Sequence, residues 1–335
     1  MENYQRNFVM NLLAYAVQRE VDIHELCKRS GIDFNELKKS EKVVFSEKQW
    51  NDLWHHVLLM TNDSLFGLHF GESLQLAALG VVGEIIKTSS TVGDALTQAA
   101  ALSHMITDLL YIKTSVDKAD FHISFHIAGE KAMEQNTALR QMLEFFMVFT
   151  IHELNGLLFR KIKPAKVYLG HDITNFKEYE RVLRCAPVKK AKTYALFFDK
   201  QYWEEPIITA DYALQSELLK KVMTTKKKDD NIHTLGVRIY NHLLANSYLG
   251  TVSLEEVAAN FNVSARTLQR KLKEEGIKYQ QLADEVKMTL AQYYLKQGNY
   301  QVKEISAMLG YNELSAFTKA FKRWTGTSPS YYQNI

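Results

Sequence analysis

Cysteine is scarce in this chain of 335 residues, which contains only Cys27 and Cys185. Two cysteines are too few for a disulfide framework or for a zinc site with four thiolate ligands, so we expect two free thiols. Long apolar segments are also missing. No run reaches the roughly eighteen residues of a membrane-spanning helix, and the first residues lack the apolar core of a secretion signal. We therefore expect a cytoplasmic protein without membrane contact.

Clusters of catalytic or metal-binding residues are equally sparse. His122 and His126 share one face of a predicted strand, where residues four apart are separated by about 13 Å and cannot bind one metal ion. His55 and His56 are neighbours on a predicted helix and point in different directions, with no carboxylate or cysteine at ligand spacing. The sequence therefore predicts no enzyme, no metal site and no cofactor.

Charge is nearly balanced overall but unevenly distributed along the chain. Residues 226–335 contain 15 basic and 10 acidic side chains, whereas the part before them contains 26 basic and 28 acidic ones. A local basic surplus favours binding to the phosphate backbone of nucleic acids. The length exceeds that of one usual core, and the polar segment 224–231 is the best boundary. We predict domains at 1–223 and 232–335, joined by the linker 224–231.

The last third of the chain contains two patterns of a helix, a turn and a second helix. In the first pattern, Leu254, Val257 and Phe261 recur on one helix face and predict a buried seam. Leu268 and Leu272 pack against that seam, so the other side of their helix faces solvent. That exposed side carries Arg266, Gln269, Arg270 and Lys273.

The second pattern repeats this arrangement. Ile305 and Leu309 line the first helix, Gly310 marks the turn, and Phe317 and Phe321 are the buried positions of the second helix. The exposed side of that second helix carries Leu314, Ser315, Thr318, Lys319 and Lys322. A single pair of this kind is commonly just a solvated surface, but two in tandem favour a DNA reader.

The exposed side chains have the chemistry that base recognition needs. Arginine bonds guanine as a fork and glutamine pairs with the edge of adenine, so Arg266, Gln269 and Arg270 are predicted to read bases. The second helix is less basic and better suited to thymine methyls, so its base reading should be weaker. Its predicted base contacts come from Leu314, Ser315, Thr318 and Lys319. Predicted phosphate contacts come from Ser264, Lys273 and Lys322.

One long helix is predicted between the two patterns. Leu282, Val286, Leu290 and Tyr293 keep helical spacing, and neither Gly nor Pro occurs from 279 to 297. About nineteen residues at 1.5 Å each span roughly 28 Å, close to the roughly 34 Å between successive major-groove segments on one side of B-DNA. We therefore expect one chain to insert both recognition helices into neighbouring groove segments.

The carboxy-terminal hundred residues resemble the DNA-binding domain of the AraC family of bacterial transcription regulators. The resemblance is carried above all by residues 305–332, which read ISAMLGYNELSAFTKAFKRWTGTSPSYY. It implies a seven-helix domain with two recognition helices, in which the first supplies most base contacts from the positions of Arg266, Gln269 and Arg270. Leu314 departs from the pattern, because many family members have a polar residue there, and this puts hydrogen bonding to a base from that position in doubt.

The first part of the chain mixes both kinds of secondary structure. Helical periodicity is present at 5–19, 22–30, 47–61, 92–109 and 138–161. Strands are predicted at 121–127, 167–170 and 194–198. The predicted fold class is an α+β amino-terminal sensory domain followed by an all-α DNA-binding domain with two helix-turn-helix units.

The amino-terminal part also resembles the effector domain of one AraC subgroup, which includes regulators of amino-acid catabolism. The resemblance rests on LGVVG at 79–83, TVGDAL at 91–96 and YERVLRCAPV at 179–188. It implies a sensory domain for a small metabolite or lipid-like molecule, with the ability to dimerise. The residues that would bind the effector are not identified by the sequence.

We therefore predict a sequence-specific DNA-binding transcription regulator whose first domain senses a small molecule. The alternative is a DNA-binding regulator controlled by protein contact or dimerisation, with no small-molecule effector. The expected partners are operator or promoter DNA, RNA polymerase, a small-molecule effector and a second copy of the chain. The sequence does not separate an activator from a repressor.

Overall fold

The structure is a computed structural model that describes residues 4–39, 43–74, 81–107, 109–128, 136–158, 162–207, 234–246, 252–298 and 300–333. Its contacts divide the chain into two compact units, Met1–Tyr212 and Ala213–Ile335. The predicted linker 224–231 lies outside the described residues, so the domain boundaries stay predictions. None of the helices within the described ranges combines the length and the apolarity that a membrane crossing requires.

The first unit contains nine described helices around a four-stranded sheet. In chain order the helices are α1 (Tyr4–Gln18), α2 (Ile23–Arg29), α3 (Phe34–Lys39), α4 (Glu47–Thr61), α5 (Phe66–Gly71), α6 (Val81–Lys87), α7 (Val92–Ile106), α8 (Thr137–Leu158) and α9 (Phe176–Leu183). The strands are β1 (Leu110–Val116) and β2 (Asp120–Ile127) before α8, β3 (Lys166–Tyr168) before α9, and β4 (Tyr194–Asp199) after it.

The sheet is antiparallel throughout, in the order β1-β2-β4-β3. In β2 the apolar residues Phe121, Ile123 and Phe125 are buried, and the polar residues between them are half-buried. This alternation is the two-residue period of a sheet with one covered face. His122 and His126 accordingly lie on the less buried face, as the sequence predicts, and both side chains are half-buried.

Helix α8 forms the centre of the first unit. It is buried along nearly its whole length from Ala138 to Leu158. It crosses α5 so closely that a Cβ on Gly67 would lie 2.3 Å from the carbonyl oxygen of Gln141. Aromatic rings fill the space around this crossing, and the ring centroids of Phe70 and Phe145 are 4.8 Å apart. Residues without side chains are therefore required where the two helices meet.

A buried ionic cluster joins α5 to α9. His69 is buried, and its two ring nitrogens lie 2.7 Å from Asp63 and 3.0 Å from Glu178. Arg181 binds Glu178 at 2.6 Å and Glu72 at 2.8 Å. Such buried charges are tolerated because each has an opposite partner. The carboxylates lower the cost of a protonated His69 between the two helices.

The second unit is entirely helical in its described residues. Its seven described helices are α10 (Leu235–Asn246), α11 (Leu254–Asn260), α12 (Ala265–Glu274), α13 (Tyr279–Gln297), α14 (Val302–Met308), α15 (Leu314–Thr325) and α16 (Pro329–Gln333). This number agrees with the seven helices that the family resemblance implies. Helix α13 is continuous from Tyr279 to Gln297, as predicted, and it ends at Gly298, which has a φ of 70°. It contacts α10, α14, α15 and α16 and so forms the centre of the unit.

The predicted fold class is confirmed, with local differences in the first unit. The five predicted helices correspond to α1, α2, α4, α7 and α8, and the three predicted strands correspond to β2, β3 and β4. Helix α7 ends at Ile106, three residues before the predicted end, because the chain becomes extended at Thr107. Strand β1 was not predicted. It lies at the edge of the sheet, and only Leu110 among its residues is fully buried, so the sequence has little alternation to detect.

Candidate nucleic-acid interface

The first helix-turn-helix unit is formed by α11 and α12. Ser253 begins α11 in a reciprocal cap, since its hydroxyl accepts from the Glu256 amide and the Glu256 carboxylate accepts from the Ser253 amide. The turn passes through Asn262 at a φ of 52°, a conformation that asparagine tolerates well. These local preferences fix where α11 begins and ends, and so set the position of α12.

Helix α12 has one buried and one exposed side. Leu268 and Leu272 are each 1% exposed and pack into the core of the second unit. The predicted DNA contacts of this helix are all exposed on its remaining surface. They are the base readers Arg266, Gln269 and Arg270 and the phosphate contact Lys273. The separation follows from the four-residue spacing of the two leucines.

Ser264 has a structural role at the start of α12. Its hydroxyl oxygen accepts from the Thr267 amide at 3.1 Å and lies 2.8 Å from the Thr267 hydroxyl. A cap of this kind fixes the first turn of the helix. Ser264 is exposed, and its hydroxyl can donate to a phosphate while it accepts from both the amide and the hydroxyl of Thr267.

Helices α14 and α15 form the second helix-turn-helix unit. Gly310 occupies the turn with a φ of 77°, which only glycine adopts without strain. Phe317 and Phe321 are fully buried beneath α15. The exposed predicted residues of α15 are Leu314, Ser315, Lys319 and Lys322. Thr318 is partly buried, unlike the others, and its hydroxyl donates to the Leu314 carbonyl at 2.9 Å. It is therefore the least available of the predicted readers.

Several polar contacts around the recognition helices were not predicted. Arg270 forms an ion pair with Glu274 at 2.6 Å, with 63% and 59% of the two side chains exposed. Arg323 of α15 pairs with Asp284 of α13 at 3.2 Å. The sequence contains a signal for the first pair, because an acidic residue follows the arginine at four-residue helical spacing. The second pair joins residues 39 positions apart and has no such signal.

Helix α13 contacts the second helix-turn-helix unit through a cation and an aromatic ring. The Lys287 ammonium lies 4.8 Å from the centre of the Tyr311 ring. Burial lowers the pKa of Lys287 and raises the pKa of Tyr311. Since Tyr311 follows the turn glycine, this contact connects the long helix directly to the turn of the second helix-turn-helix unit.

Metal-ligand spacing occurs in one place among the described residues. Asp117, Asp120 and His122 bring one potential ligand atom each to within 4.8 Å of one another at the turn between β1 and β2. Asp117 is exposed and the other two are half-buried. This group was not predicted from the sequence, in which His122 was compared only with His126. Exposed carboxylates at a turn are common without a metal ion, and the predicted absence of a metal site stays a prediction.

Comparisons with known proteins identify both units. The family profile described as the arabinose-binding domain of AraC transcription regulator, N-term, matches residues 21–207, and a helix-turn-helix domain profile matches residues 257–335. The two units therefore define a transcription regulator with an effector-type domain and a DNA-binding domain. The chain belongs to the AraC family of transcription regulators, as the sequence resemblance implied.

Similar regulators extend over most of the chain. An uncharacterized HTH-type transcriptional regulator of Mycobacterium tuberculosis is 23% identical over 96% of this chain and 93% of its own length. The ornithine utilization regulator of Pseudomonas aeruginosa is 25% identical over 85% and 83%. The crystal structure of the transcriptional regulator CdpR from Pseudomonas aeruginosa covers 84% of this chain and 90% of its own, with 22% identity and a TM-score of 0.40. The relatives are named as regulators and not as enzymes, in agreement with the prediction.

Proposed function

We propose that this regulator reads DNA bases with two unequal recognition helices on one chain. Helix α12 would carry most of the specificity through Arg266, Gln269 and Arg270. Helix α15 would add weaker contacts, and the proposed residues there are Leu314, Ser315, Thr318 and Lys319. Ser264, Lys273 and Lys322 would bind phosphates. The observation that supports this division is the exposed surface at the start of each helix. Helix α12 exposes two arginines and a glutamine there, whereas the first turns of α15 expose Leu314, Ser315 and Lys319.

The proposed readout can be tested on duplexes enriched from a random pool with the full-length protein. Fluorescence anisotropy would then compare the wild type with Gln269→Ala, which removes one amide from α12 without changing the charge. We expect the variant to lose affinity for the enriched duplex by about 1–3 kcal/mol and to bind random DNA as the wild type does. Equal losses on both duplexes would remove Gln269 from the base-reading set.

We also propose that the first unit senses a small molecule and so controls DNA binding or transcription. Membership of residues 21–207 in an effector-domain family supports this proposal. The same proposal includes assembly into a homodimer, contact with RNA polymerase and a cytoplasmic location next to the chromosome. In the alternative, the first unit acts through protein contact or dimerisation alone. A ligand that binds the folded first unit raises its thermal stability, whereas a pure dimerisation domain responds only to protein concentration.

A further inference from the structure

The first unit contains an open polar cleft of about 550 Å³. It lies between the first turns of α8, the segment that follows β3 and the start of β4. Its walls include Thr137, Arg140, His171, Asp172, Lys190 and Tyr194. The volume falls within the roughly 300–1,000 Å³ that small-molecule sites usually have. An apolar cavity between α7, α8 and the sheet offers only about 60 Å³, which is enough for a few water molecules but not for a metabolite.

Arg140 supplies a positive charge to this cleft. Its side chain is half-buried, and its Nε atom is buried without a hydrogen-bond partner. A buried donor of a charged group that has no acceptor destabilises the protein. The guanidinium group lines the cleft, and its planar fork fits a carboxylate in particular.

The floor of the cleft is a fixed network of polar side chains. The carboxylate of Glu144, which is fully buried, accepts from the Tyr179 hydroxyl and lies 2.9 Å from Nε2 of His171. The other ring nitrogen of His171 lies 2.8 Å from the Tyr194 hydroxyl. Burial and the Glu144 charge raise the pKa of both phenols, so they remain protonated donors. Glu144 is thus held by His171 and Tyr179.

The rim of the cleft is held by a second set of charges. Asp172 binds Lys189 at 3.1 Å and Lys190 at 2.9 Å. These two lysines lower the pKa of Asp172 to about 2, so its carboxylate stays ionised and paired. Lys190 has a φ of 54°, a conformation that is unfavourable for a lysine. Strained residues of this kind concentrate at ligand-binding segments. Among the residues that line the cleft, Arg140 and Lys190 are basic and Asp172 is acidic, so its walls have a positive excess.

We infer that this cleft binds a small organic anion, whose carboxylate pairs with Arg140 and accepts from the Tyr194 hydroxyl. The inference rests on the proposed sensory role of the first unit and names the chemical class of its effector. The hydroxyl proton of Tyr194 can turn toward the ligand when His171 carries a proton on Nδ1, because the ring then donates to the phenol oxygen.

The test measures the thermal stability of the full-length protein with single probes at matched ionic strength. The carboxylate probes are L-glutamate, 2-oxoglutarate and benzoate, with L-arabinose as a neutral probe and inorganic phosphate as a simple anion. We expect at least one carboxylate to raise the melting temperature of the wild type. Calorimetric titration with that carboxylate should show its affinity reduced about tenfold or more in Arg140→Gln. Arg29→Gln, which removes an equal charge from an exposed position, should bind as the wild type does.

Arg140→Gln also separates a ligand-binding role from a structural one. Without ligand, the variant should be at least as stable as the wild type, because it removes a buried donor that has no partner. A large loss of stability without ligand would contradict the inference, and so would equal carboxylate affinity in the wild type and the variant. Arg140→Lys keeps the charge but not the fork, and it should bind more weakly than the wild type.

The remaining outcomes distinguish this inference from the proposed function. Stabilisation by L-arabinose alone, retained in Arg140→Gln, would preserve a sensory role but overturn the anion cleft. Stabilisation by phosphate without any carboxylate would overturn the assignment of an organic anion. If no probe changes either stability or DNA affinity, both the anion cleft and the sensory role are contradicted for these chemical classes.

Discussion

Arg270 has two competing partners, one within the protein and one proposed on DNA. In the free protein its guanidinium pairs with Glu274, one turn further along α12. Both side chains are largely exposed, so this pair stabilises the helix by only a few tenths of a kcal/mol. A guanine fork is worth about 1–3 kcal/mol of discrimination. The contact with a base is therefore strong enough to displace the contact with Glu274.

Replacement of Glu274 should strengthen DNA binding. Glu274→Gln frees Arg270 and removes a negative charge beside the groove, so we expect an affinity gain of roughly twofold to tenfold at low salt. Fluorescence anisotropy with an enriched duplex measures the gain. Glu36→Gln is the matched control, because it removes the same charge from an exposed position of the first unit. Unchanged or weaker binding by Glu274→Gln would show that the ion pair does not compete with DNA.

Replacement of the arginine itself should weaken specific binding. Arg270→Ala is expected to lose about 1–3 kcal/mol on the enriched duplex and to relax base choice at one position. Lys322→Ala is the comparison variant on α15. It should weaken binding to all sequences and reduce the salt slope by about one. A loss for Arg270→Ala that is equal on enriched and random duplexes would assign it to phosphate contact.

At the scale of the elements, one side chain after the end of α12 binds the start of α10. The Glu275 carboxylate, directly after α12, accepts from the amides of Leu235 and Gly236 at 2.7 and 2.8 Å. These amides open α10 and have no partner within that helix, so the carboxylate acts as its cap. Gly236 packs closely there, because a Cβ would lie 2.4 Å from the Cδ1 atom of Ile277, which would have to move. The first described helix of the second unit is thus anchored at the end of the recognition helix.

Loss of this cap should destabilise the second unit. Glu275→Ala is expected to lower its free energy of unfolding by about 1–2 kcal/mol, whereas Glu274→Ala breaks only a surface pair and should cost less than about 0.5 kcal/mol. Urea unfolding followed by circular dichroism measures both variants in the full-length protein. Equal stability of the two variants would mean that the Glu275 contact does not hold α10.

The cluster between α5 and α9 should give the first unit a pH-dependent stability. Burial lowers the pKa of His69, but the hydrogen bonds that its ring donates to Asp63 and Glu178 outweigh this effect, and the net pKa is raised above 6.5. The His69 contribution is therefore complete below the unfolded value of about 6.5 and is lost as the pH rises through the folded value. Despite burial, His69 and Arg181 lower the pKa of Glu178 to about 2, so its contribution is lost as the pH falls below about 4.5.

We accordingly expect the first unit to lose stability when the pH is raised from about 6 to about 9. Tryptophan fluorescence during urea unfolding reports mainly on this unit, which contains Trp50, Trp54 and Trp203. His69→Gln should flatten the pH dependence in this range, whereas His55→Gln, an exposed control, should not. A wild-type protein whose stability rises over this interval would contradict the assignment of a protonated His69.

Elements with a strong period could be predicted from the sequence, and the contacts between them could not. The spacing of Leu268 and Leu272 was enough to place the readers of α12, and the absence of Gly and Pro was enough for the full length of α13. Strand β1 was missed because an exposed edge strand needs little apolar alternation. The cleft around Arg140 was missed because it joins α8 to segments 30–50 residues away, which have no common period.

For the whole molecule, the distribution of charge predicts how DNA binding responds to salt. The basic surplus of residues 226–335 lies on the unit that carries both recognition helices. Neutralised phosphates release counterions, so the logarithm of affinity should fall linearly with the logarithm of salt concentration, by about 0.9 per phosphate contact. Anisotropy titrations at several salt concentrations measure this slope. A slope near zero would contradict a phosphate-binding surface on this unit.

Hydroxyl-radical footprinting of a fragment with residues 228–335, bound as a monomer to an enriched duplex, tests the reading by two helices most directly. Helix α13, with 19 residues, is roughly 28 Å long and joins the two helix-turn-helix units. Because α12 and α15 differ in sequence, one monomer should protect two patches about one helical turn apart within an asymmetric site of roughly twenty base pairs. Lys322→Ala should weaken protection of only one patch. A single protected patch, confined to one groove segment, would contradict the account and leave α15 as a structural helix.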